Sequence, residues 1–527
     1  MTRLRPMITA FVVFLLVPLA CGTGGTDGPV GRGGGSGAGT GGGNGGGGSG
    51  AAGDGNGGAA GSGNTGAAGS GAAGSGNSGA AGGSSGAAGG GSSGSTGGGS
   101  SGAAGGGGSG AAGSTGSGGT SGTAGADGGG ADGKTDANTV VDAPRADSSR
   151  DASAPDGPTQ GFLHPGLLHS TEDFDRMTAQ VAAGAQPWKS GWDKLVANAH
   201  ASLNWTPNPA AVVYRGADGV HPENYAQLFN DAAAAYALAL RWKISGDAAY
   251  ADKSVQVLNA WSAVLTGLGG NTDKFLLAGL QGYQIANAAE IMRTYSGWAP
   301  PDFARFKTMM LQVFYPLNHD FLARHNGDSC LTHFYANWDL CNMASVLAIG
   351  VLVDDRAIYN EAIDYFKNGG GNGAIGNAVF YLHPGNLGQW QESGRDQGHN
   401  TLGIGLMGTF CEMAWKQGDD MYGYSQNRFL AGAEYVASYN LGNTVPYVTY
   451  SNCVGVTQPV IAEGGRGNIR PIWELVYNHY VNRLGVAAPY SAAYAAKVRP
   501  EGGGGDYGST SGGFDQIGYG TLTATLK

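Results

Sequence analysis

The sequence predicts an all-helical domain of the α/α toroid class, an incomplete barrel of antiparallel helical hairpins, behind a long disordered linker. Three observations support this prediction. From residue 223 onward, apolar residues recur at helical spacing in nine segments. Short breaks of Gly, Asn or Asp separate the segments, and strand-like alternation is scarce. In contrast, 56 of the 102 glycines lie between Gly22 and Gly133, where apolar side chains are too few to form a core.

Residues 1–21 have the features of an export signal. Arg3 and Arg5 form a basic start, an apolar stretch follows, and small residues precede Cys21. The arrangement resembles a bacterial lipoprotein signal, in which the cysteine is acylated after cleavage. We therefore expect lipidation of Cys21 and an outer-membrane or cell-surface lipoprotein. The alternative is ordinary cleavage near Ala20 and a periplasmic or secreted protein.

Residues 22–160 are predicted to be a flexible spacer. Gly, Ser and Ala dominate most of this segment, and a composition of that kind behaves as a flexible coil. Its last part, from 132 to 160, is polar, with scattered acids and prolines. The globular domain is therefore expected to span residues 161–527.

The charge of the chain limits its partners. The formal net charge is −10, which argues against a nucleic-acid binder. Any anionic substrate must therefore be met by local cationic groups. No apolar run of membrane-spanning length follows the first 21 residues, so contact with a membrane is expected only through the N-terminal lipid anchor. We expect a monomer.

The helices of the globular domain follow from apolar spacing and from the breaks between them. The first is supported by Tyr225, Leu228 and Ala232, and the break at Ser245–Asp247 ends it. Pro301 suits the first turn of the fourth helix. Two stretches alternate like strands, 445–456 and 521–526. The predicted helices are 223–242, 248–264, 275–295, 301–321, 338–353, 355–366, 399–415, 422–440 and 471–484.

The composition of these helices favours a closed ring over an open repeat array. Many of them carry Ala and aromatic residues on more than one face, as expected for an inner ring packed inside an outer one. No fixed sequence period is present, which weakens the alternative of a repeat solenoid.

The cysteines predict no metal site. Export makes disulfides possible, and Cys330 and Cys341 are expected to pair because they are close in sequence. The chain has no C-x-x-C motif and no paired spacing typical of zinc. No metal and no cofactor are expected.

Three segments, 333–340, 389–400 and 445–480, concentrate His, Asn, Arg, Tyr and acidic residues. Each opens a predicted helix or precedes one, and a helix N-terminus favours binding of a carboxylate. The motifs of serine hydrolases and zinc proteases are absent, and the glycine run at 369–373 lacks the Gly-Lys-Ser/Thr of a phosphate loop.

Such a set of donors, cations and phenols suits removal of a proton next to a carboxylate. The C5 proton of a uronic acid is weakly acidic because the adjacent carboxylate is already negative. Hydrogen bonds from Asn, His or Arg stabilise the charge that develops there. A His or Tyr then takes the proton, and a Tyr or His gives one to the leaving glycosidic oxygen.

Three stretches, 337–340, 392–399 and 414–422, resemble the alginate lyase family of polysaccharide lyases. The resemblance covers roughly 161–485 and implies an α/α toroid that cleaves a polyuronate, alginate first, by β-elimination. It implies that Asn337 neutralises the substrate carboxylate and that His399 is the acid/base histidine. It also implies a carboxylate or subsite role for Arg395.

The sequence departs from the family at two points. Studied members carry a His directly after the neutralising Asn, where this chain has Trp338, and Gln397 and Gly398 stand where the catalytic Tyr is expected. The Tyr must therefore come from elsewhere, and Tyr450, then Tyr447, is our prediction. A glucuronan or a mixed uronate is an alternative substrate. The predicted substrate-binding residues are His333, Arg466, Tyr447, Trp390 and Gln397.

The same residues are also compatible with purely structural roles and with two other functions. Asn337 is also suited to capping its helix, and Trp390 to packing in the core instead of stacking on a sugar. A glycoside hydrolase on a similar toroid would instead use Glu392, Asp396 or Asp339. The remaining alternative is a surface glycan-binding protein without activity.

Overall fold

The computed structural model describes residues 161–504 and 514–527, and most of these residues are helical. The predictions made for residues 1–160, including lipidation of Cys21, lie outside the described residues. The helices are α1 (Thr171–Ala182), α2 (Trp188–Ala197), α3 (Tyr225–Ser245), α4 (Ala248–Val264), α5 (Lys274–Met292), α6 (Pro300–Met309), α7 (Tyr315–Arg324), α8 (Ala336–Val353), α9 (Arg356–Asn368), α10 (Ile375–Ala378), α11 (Gln397–Lys416), α12 (Tyr424–Asn440), α13 (Trp473–Tyr477), α14 (Pro489–Val498) and α15 (Gly520–Thr523).

Among the described residues, strands are short and occur in pairs. A parallel pair and two antiparallel pairs connect the helices at their ends. The strands are β1 (Val212–Tyr214) with β2 (Gly267–Gly269), β3 (Val379–His383) with β4 (Leu387–Trp390), and β5 (Tyr450–Ser451) with β6 (Thr457–Gln458).

Helices α3, α5, α8 and α11 form the inner layer of the ring. Each packs against the next in this series, α4 and α9 pack outside α3 and α8, and α12 packs against α11 and β4. Every residue of α5 from Phe275 to Met292 is buried, and so is every residue of α8 from Ala336 to Leu352. A helix that is buried on all sides belongs to the interior of a domain. The predicted arrangement of an inner ring inside an outer one is therefore confirmed.

Tight turns force neighbouring helices to run antiparallel. Only Gly246 and Asp247 separate α3 from α4, and Gly246 has the left-handed backbone that ends α3 (φ 74°). The carboxylate of Asp247 then accepts a hydrogen bond from the N–H of Ala249 and caps α4. Between α8 and α9, Asp355 caps the next helix through Ala357 and Ile358.

A short C-terminal segment closes the ring. α11 contacts α13, α13 contacts α15, and α15 contacts α1 and α2, while α1 packs on α3. The prediction of a strand at 521–526 is wrong, because residues 520–523 form α15. The physical reason lies in tertiary contacts, since the hydroxyl of Thr521 is buried and donates to Glu474. Alternation over six residues contains no information about these partners.

Local chemistry explains the other differences from the predicted elements. The helix expected at 301–321 contains a π-turn at Met310–Phe314. Pro316 follows this turn and has no N–H to donate to the helical hydrogen-bond pattern. Of the stretch predicted as a strand at 445–456, only Tyr450–Ser451 pairs with a neighbouring strand. The helix expected at 471–484 begins at Trp473 and ends as a π-turn. The hairpin β3–β4 and helices α1, α2 and α14 were not predicted.

Cys330 pairs with Cys453, so the expected Cys330–Cys341 pair is wrong. The bonded cysteines have Cα atoms 5.7 Å apart, and they join the loop before α8 to the turn between β5 and β6. Cys341 is a buried free thiol on the face of α8 that packs against Gly279 of α5. Its helix therefore points it away from Cys330, and closeness in sequence is misleading.

Glu501 is a buried carboxyl group where the C-terminal segment closes the ring. Its carboxyl group is fully buried and accepts from the backbone N–H groups of Trp473 and Glu474 at 2.8 and 3.2 Å. Burial, together with the charge of Glu474, raises the pKa of Glu501 well above its ordinary value of 4.5. In the unfolded chain the group ionises near that ordinary value, so the wild type loses stability as pH rises from there toward the folded-state pKa.

We expect Glu501→Gln to remove this pH dependence, because glutamine keeps the acceptor and does not ionise. The free energy of unfolding of the variant, relative to the wild type, should increase by up to about 1.4 kcal/mol per pH unit above pH ~4.5. Urea unfolding of both proteins at pH 5, 6 and 7 measures this difference. Parallel stability curves for the two proteins would contradict the expectation.

Candidate functional site

Helices α8 and α11 begin side by side at one edge of the ring. The backbone N–H of Ala336, at the start of α8, donates to Oε1 of Gln391 at 3.1 Å. The guanidinium of Arg395 lies 3.9 Å from the centre of the Tyr335 ring. We call this edge, residues 333–337 together with 391–399, the rim. A helix N-terminus favours binding of an anion, and that of α11 already holds the carboxylate of Asp396.

His399 and Asp396 form an oriented pair at the rim. Asp396 is the N-cap of α11 and accepts from the backbone N–H of His399 at 2.8 Å. Its other oxygen lies 2.6 Å from Nδ1 of the same His399. Nε2 has no hydrogen-bond partner among the described residues, and the side chain is 29% exposed. The imidazole is therefore held in one orientation with one nitrogen available, as a general base requires.

The charge of Asp396 is maintained by its partners. Burial alone would raise the pKa of Asp396, but hydrogen bonds from His399 and the charge of Arg395 outweigh it and hold the pKa below its ordinary value. Arg395 itself pairs with Glu392 at 2.8 Å and approaches Asp396 at 3.8 Å. Glu392 is fully buried, and burial raises the pKa of its carboxyl against the opposing charge of Arg395.

The side chain of Asn337 makes no hydrogen bond to any described residue. It lies in the first turn of α8, where it is almost completely buried, and its amide oxygen has no partner. The N-cap of the helix is Tyr335, so Asn337 does not act as a cap. Buried polar groups in native proteins are nearly always paired, so the unpaired amide oxygen at this rim indicates a place for a hydrogen-bond donor of a ligand.

The two predicted tyrosines are already engaged by the protein. The hydroxyl of Tyr450 donates to Oδ1 of Asn372 at 2.9 Å, and burial raises the pKa of Tyr450. The hydroxyl of Tyr447 donates to the carbonyl oxygen of Gln458 at 2.8 Å, and burial raises its pKa to about 12. Tyr450 nevertheless lies close to the rim, since Tyr335 and Glu392 both act on it electrostatically.

A buried network fixes the loop that contains Asn372. Asp339 is wholly buried, and its Oδ1 lies 2.7 Å from Nε2 of His325 and accepts from the hydroxyl of Tyr365 at 2.9 Å. Its Oδ2 accepts from the backbone N–H of Gly373 at 2.8 Å. Asp339 therefore anchors the segment next to Asn372, the residue that binds Tyr450, and it is not available to a sugar.

The three carboxyl groups considered for hydrolysis do not form a catalytic pair. Glu392 and Asp339 have no exposed surface. Asp396 is partly exposed, but one of its oxygens binds the ring of His399. Hydrolysis needs two carboxyl groups that flank the scissile bond, and these three do not supply such a pair.

His333 and Arg466 have partners within the protein. Nδ1 of His333 binds the carboxylate of Asp328, and the His333 side chain stays partly exposed at the rim. Arg466 donates to the carbonyl oxygens of Tyr439 and Asn443, each at 2.9 Å, and pairs with Glu463. The guanidinium of Arg466 therefore locks its own loop in place.

Trp390 and Gln397 lie in the interior. The ring of Trp390 has no exposed surface, so the structure shows packing in the core and no face for a sugar ring. Gln397 is equally buried. Its amide nitrogen donates to the carbonyls of Ser393 and Ala462, and its oxygen accepts from Asn400 and Asn440.

Sequence reasoning missed two residues near the site. Tyr335 lies within one of the polar segments, and its place directly before α8 was a usable signal. Asp515 comes from the C-terminal segment and lies 3.6 Å from Arg470. The charges of Arg470, Arg215 and His399 all act on it. No local pattern points to Asp515, because only the fold brings that segment to the site.

The disulfide joins the two loops that flank the rim. Cys330 precedes His333 and Tyr335, whereas Cys453 follows Tyr450.

We expect replacement of both cysteines by serine to lower the free energy of unfolding by roughly 2–5 kcal/mol. Turnover should also fall, because the loops lose their mutual anchor. Dithiothreitol should impair the wild type and leave the serine variant unaffected, as thermal unfolding and activity assays would show. Equal sensitivity of both proteins would contradict this.

Comparison with known proteins supplies one family match. A model of the alginate lyase family matches residues 180–445, just over half of the chain. Alginate lyase A1-III from Sphingomonas species A1 is 14% identical with a TM-score of 0.45, and the alignment covers 71% of this chain and 100% of that one. A variant of alginate lyase A1-III complexed with a tetrasaccharide is 15% identical with a TM-score of 0.47, covering 71% and 99%. No curated protein matches the chain.

Proposed function

The chain belongs to the alginate lyase family, and on that premise we propose that it cleaves a uronic-acid polysaccharide, alginate first, by β-elimination. The observation that supports this proposal most directly is the His399–Asp396 pair. Its imidazole is oriented by a 2.6 Å contact and keeps Nε2 available at a partly exposed position. An oriented base of this kind suits abstraction of a carbon-bound proton.

The neighbouring groups suit the charge that develops during the reaction. When the C5 proton leaves, negative charge spreads onto the substrate carboxylate. The amide nitrogen of Asn337, which donates to no described residue, and the start of α8 are suited to stabilise that charge. Arg395 adds a positive charge within the same rim. Preorganised donors of this kind cost no reorganisation at the moment of reaction.

Hydrolysis is the less supported alternative. Glu392 and Asp339 are buried, and Asp396 is engaged by His399. A glycan-binding protein without activity would have no need for an oriented histidine. The arrangement of these side chains therefore supports proton abstraction over both alternatives.

The test mixes the full chain separately with alginate, glucuronan and polygalacturonate. Ultraviolet absorbance of an unsaturated product is followed beside a reducing-end assay. We expect both signals to rise together on alginate. Reducing ends without absorbance would establish hydrolysis and overturn the proposal. A response to another polyuronate would keep the reaction and change the substrate, whereas silence on all three polymers would overturn the lyase.

A further inference from the structure

We propose that Tyr335 is the proton donor to the leaving glycosidic oxygen, an inference that rests on the lyase reaction proposed above. The sequence points to Tyr450 or Tyr447 for this role. The contacts at the rim favour Tyr335, which is the N-cap residue of α8 and stands two positions before Asn337.

A continuous set of contacts connects Tyr335 to the base. The guanidinium carbon of Arg395 lies 3.9 Å from the centre of the Tyr335 ring. Nε of the same arginine lies 3.8 Å from Oδ2 of Asp396, and that oxygen is 2.6 Å from Nδ1 of His399. Arg395 and Asp396 therefore link the phenol of Tyr335 to the imidazole of His399. β-Elimination requires a base and an acid at one site, because the proton leaves C5 and the other proton goes to the oxygen on the neighbouring carbon C4.

The hydroxyl of Tyr335 is available, whereas those of the other two tyrosines are not. It has no hydrogen-bond partner among the described residues, and its ring is only partly buried. The hydroxyl of Tyr450 donates to Asn372, and that of Tyr447 donates to the Gln458 carbonyl. A hydroxyl that already donates to a protein acceptor must break that bond before it can protonate a leaving oxygen.

The β-elimination moves one proton from the sugar to His399 and one from Tyr335 to the leaving oxygen. Nε2 of His399 takes the C5 proton, and the electron pair of that bond forms the C4–C5 double bond. The C4–O bond breaks, and the oxygen leaves with the neighbouring sugar. The hydroxyl of Tyr335 protonates this oxygen, which becomes a reducing-end hydroxyl. The imidazolium then returns its proton to the phenolate through solvent, so no water is consumed.

The test is Tyr335→Phe in the full chain, assayed on the polymer that the wild type cleaves. This change keeps the ring under Arg395 and removes only the hydroxyl. We expect kcat to fall roughly 10²–10⁴-fold with KM changed by less than about threefold, as for loss of a general acid. The temperature of unfolding should match that of the wild type.

Tyr250→Phe is the matched control. The guanidinium of Arg241 lies 3.9 Å from the Tyr250 ring, the same distance as at Tyr335, but Tyr250 belongs to the outer helix α4. We expect wild-type kcat from this variant. If both variants lost activity equally, the loss would reflect disturbed arginine–tyrosine packing, and the proposal would fail.

Tyr450→Phe tests the competing assignment, in which Tyr450 is the proton donor. Full loss of turnover in Tyr450→Phe, with Tyr335→Phe still active, would overturn the role of Tyr335 and leave the lyase intact. A wild type that releases no unsaturated product from any polyuronate would instead overturn the reaction itself. The two failures are therefore separable.

Discussion

His399→Ala is expected to lower kcat on the responding polyuronate by at least roughly 10³-fold, because general acid–base groups contribute about 10²–10⁴-fold and the substitution leaves no imidazole near C5. The fold should persist, since Asp396 keeps its capping contact with the backbone N–H of residue 399. Production of unsaturated ends measures turnover, and thermal unfolding checks the fold.

Two further variants sharpen this expectation. Asp396→Asn should leave measurable turnover, because the imidazole remains and only its orientation weakens. His319→Ala on α7 is a control, because its ring is 54% exposed and pairs with Glu361, and it should behave as the wild type. If His399→Ala stayed active while Glu392→Gln was inactive, the carboxyl groups would replace the histidine as the reacting groups.

Asn337→Ala is expected to separate activity from stability. Loss of a preorganised donor to a developing negative charge typically costs about 10²–10³-fold in kcat. The free energy of unfolding should change by less than about 1 kcal/mol, because the amide of Asn337 has no hydrogen bond to lose. Steady-state kinetics beside urea unfolding measures both quantities.

Asn342→Ala on the same helix provides the opposite control. The amide of Asn342 donates to the carbonyl of Trp338 at 2.8 Å and accepts from Asn318 at 2.7 Å. Its loss should destabilise the protein by about 1–3 kcal/mol, because buried partners lose their bonds. The activity of the folded fraction should remain close to that of the wild type. A large loss of stability in Asn337→Ala would assign that residue a structural role.

The sequence predicted the helices well where apolar spacing was continuous. Helix α4 was predicted with its observed ends, 248 and 264, because a turn containing Gly246 and the capping Asp247 bound it locally. Elements whose form depends on distant contacts were not predictable. Residues 521–526 alternate like a strand, yet partners on α13 hold part of them as a helical turn.

The candidate site shows the same division between local and distant information. The sequence named His399 and Asp396 for different roles, and the structure shows that their three-residue spacing at a helix start brings the two side chains together. Arg466, Trp390 and Gln397 have the residue types of a binding site, but their side chains are used inside the protein. A sequence shows which donors and rings exist and does not show which of them already have partners.

The closure of the ring by α15 has a consequence for biosynthesis. Residues 514–527 leave the ribosome after every other helix of the ring, and their contacts include Trp188 and Arg176, which are made more than 300 residues earlier. Helical hairpins are able to form one by one as the chain emerges, but the circular arrangement has to wait for α15. A nascent chain that stalls before residue 514 therefore lacks the contacts that join α13 to α1 and α2 through α15.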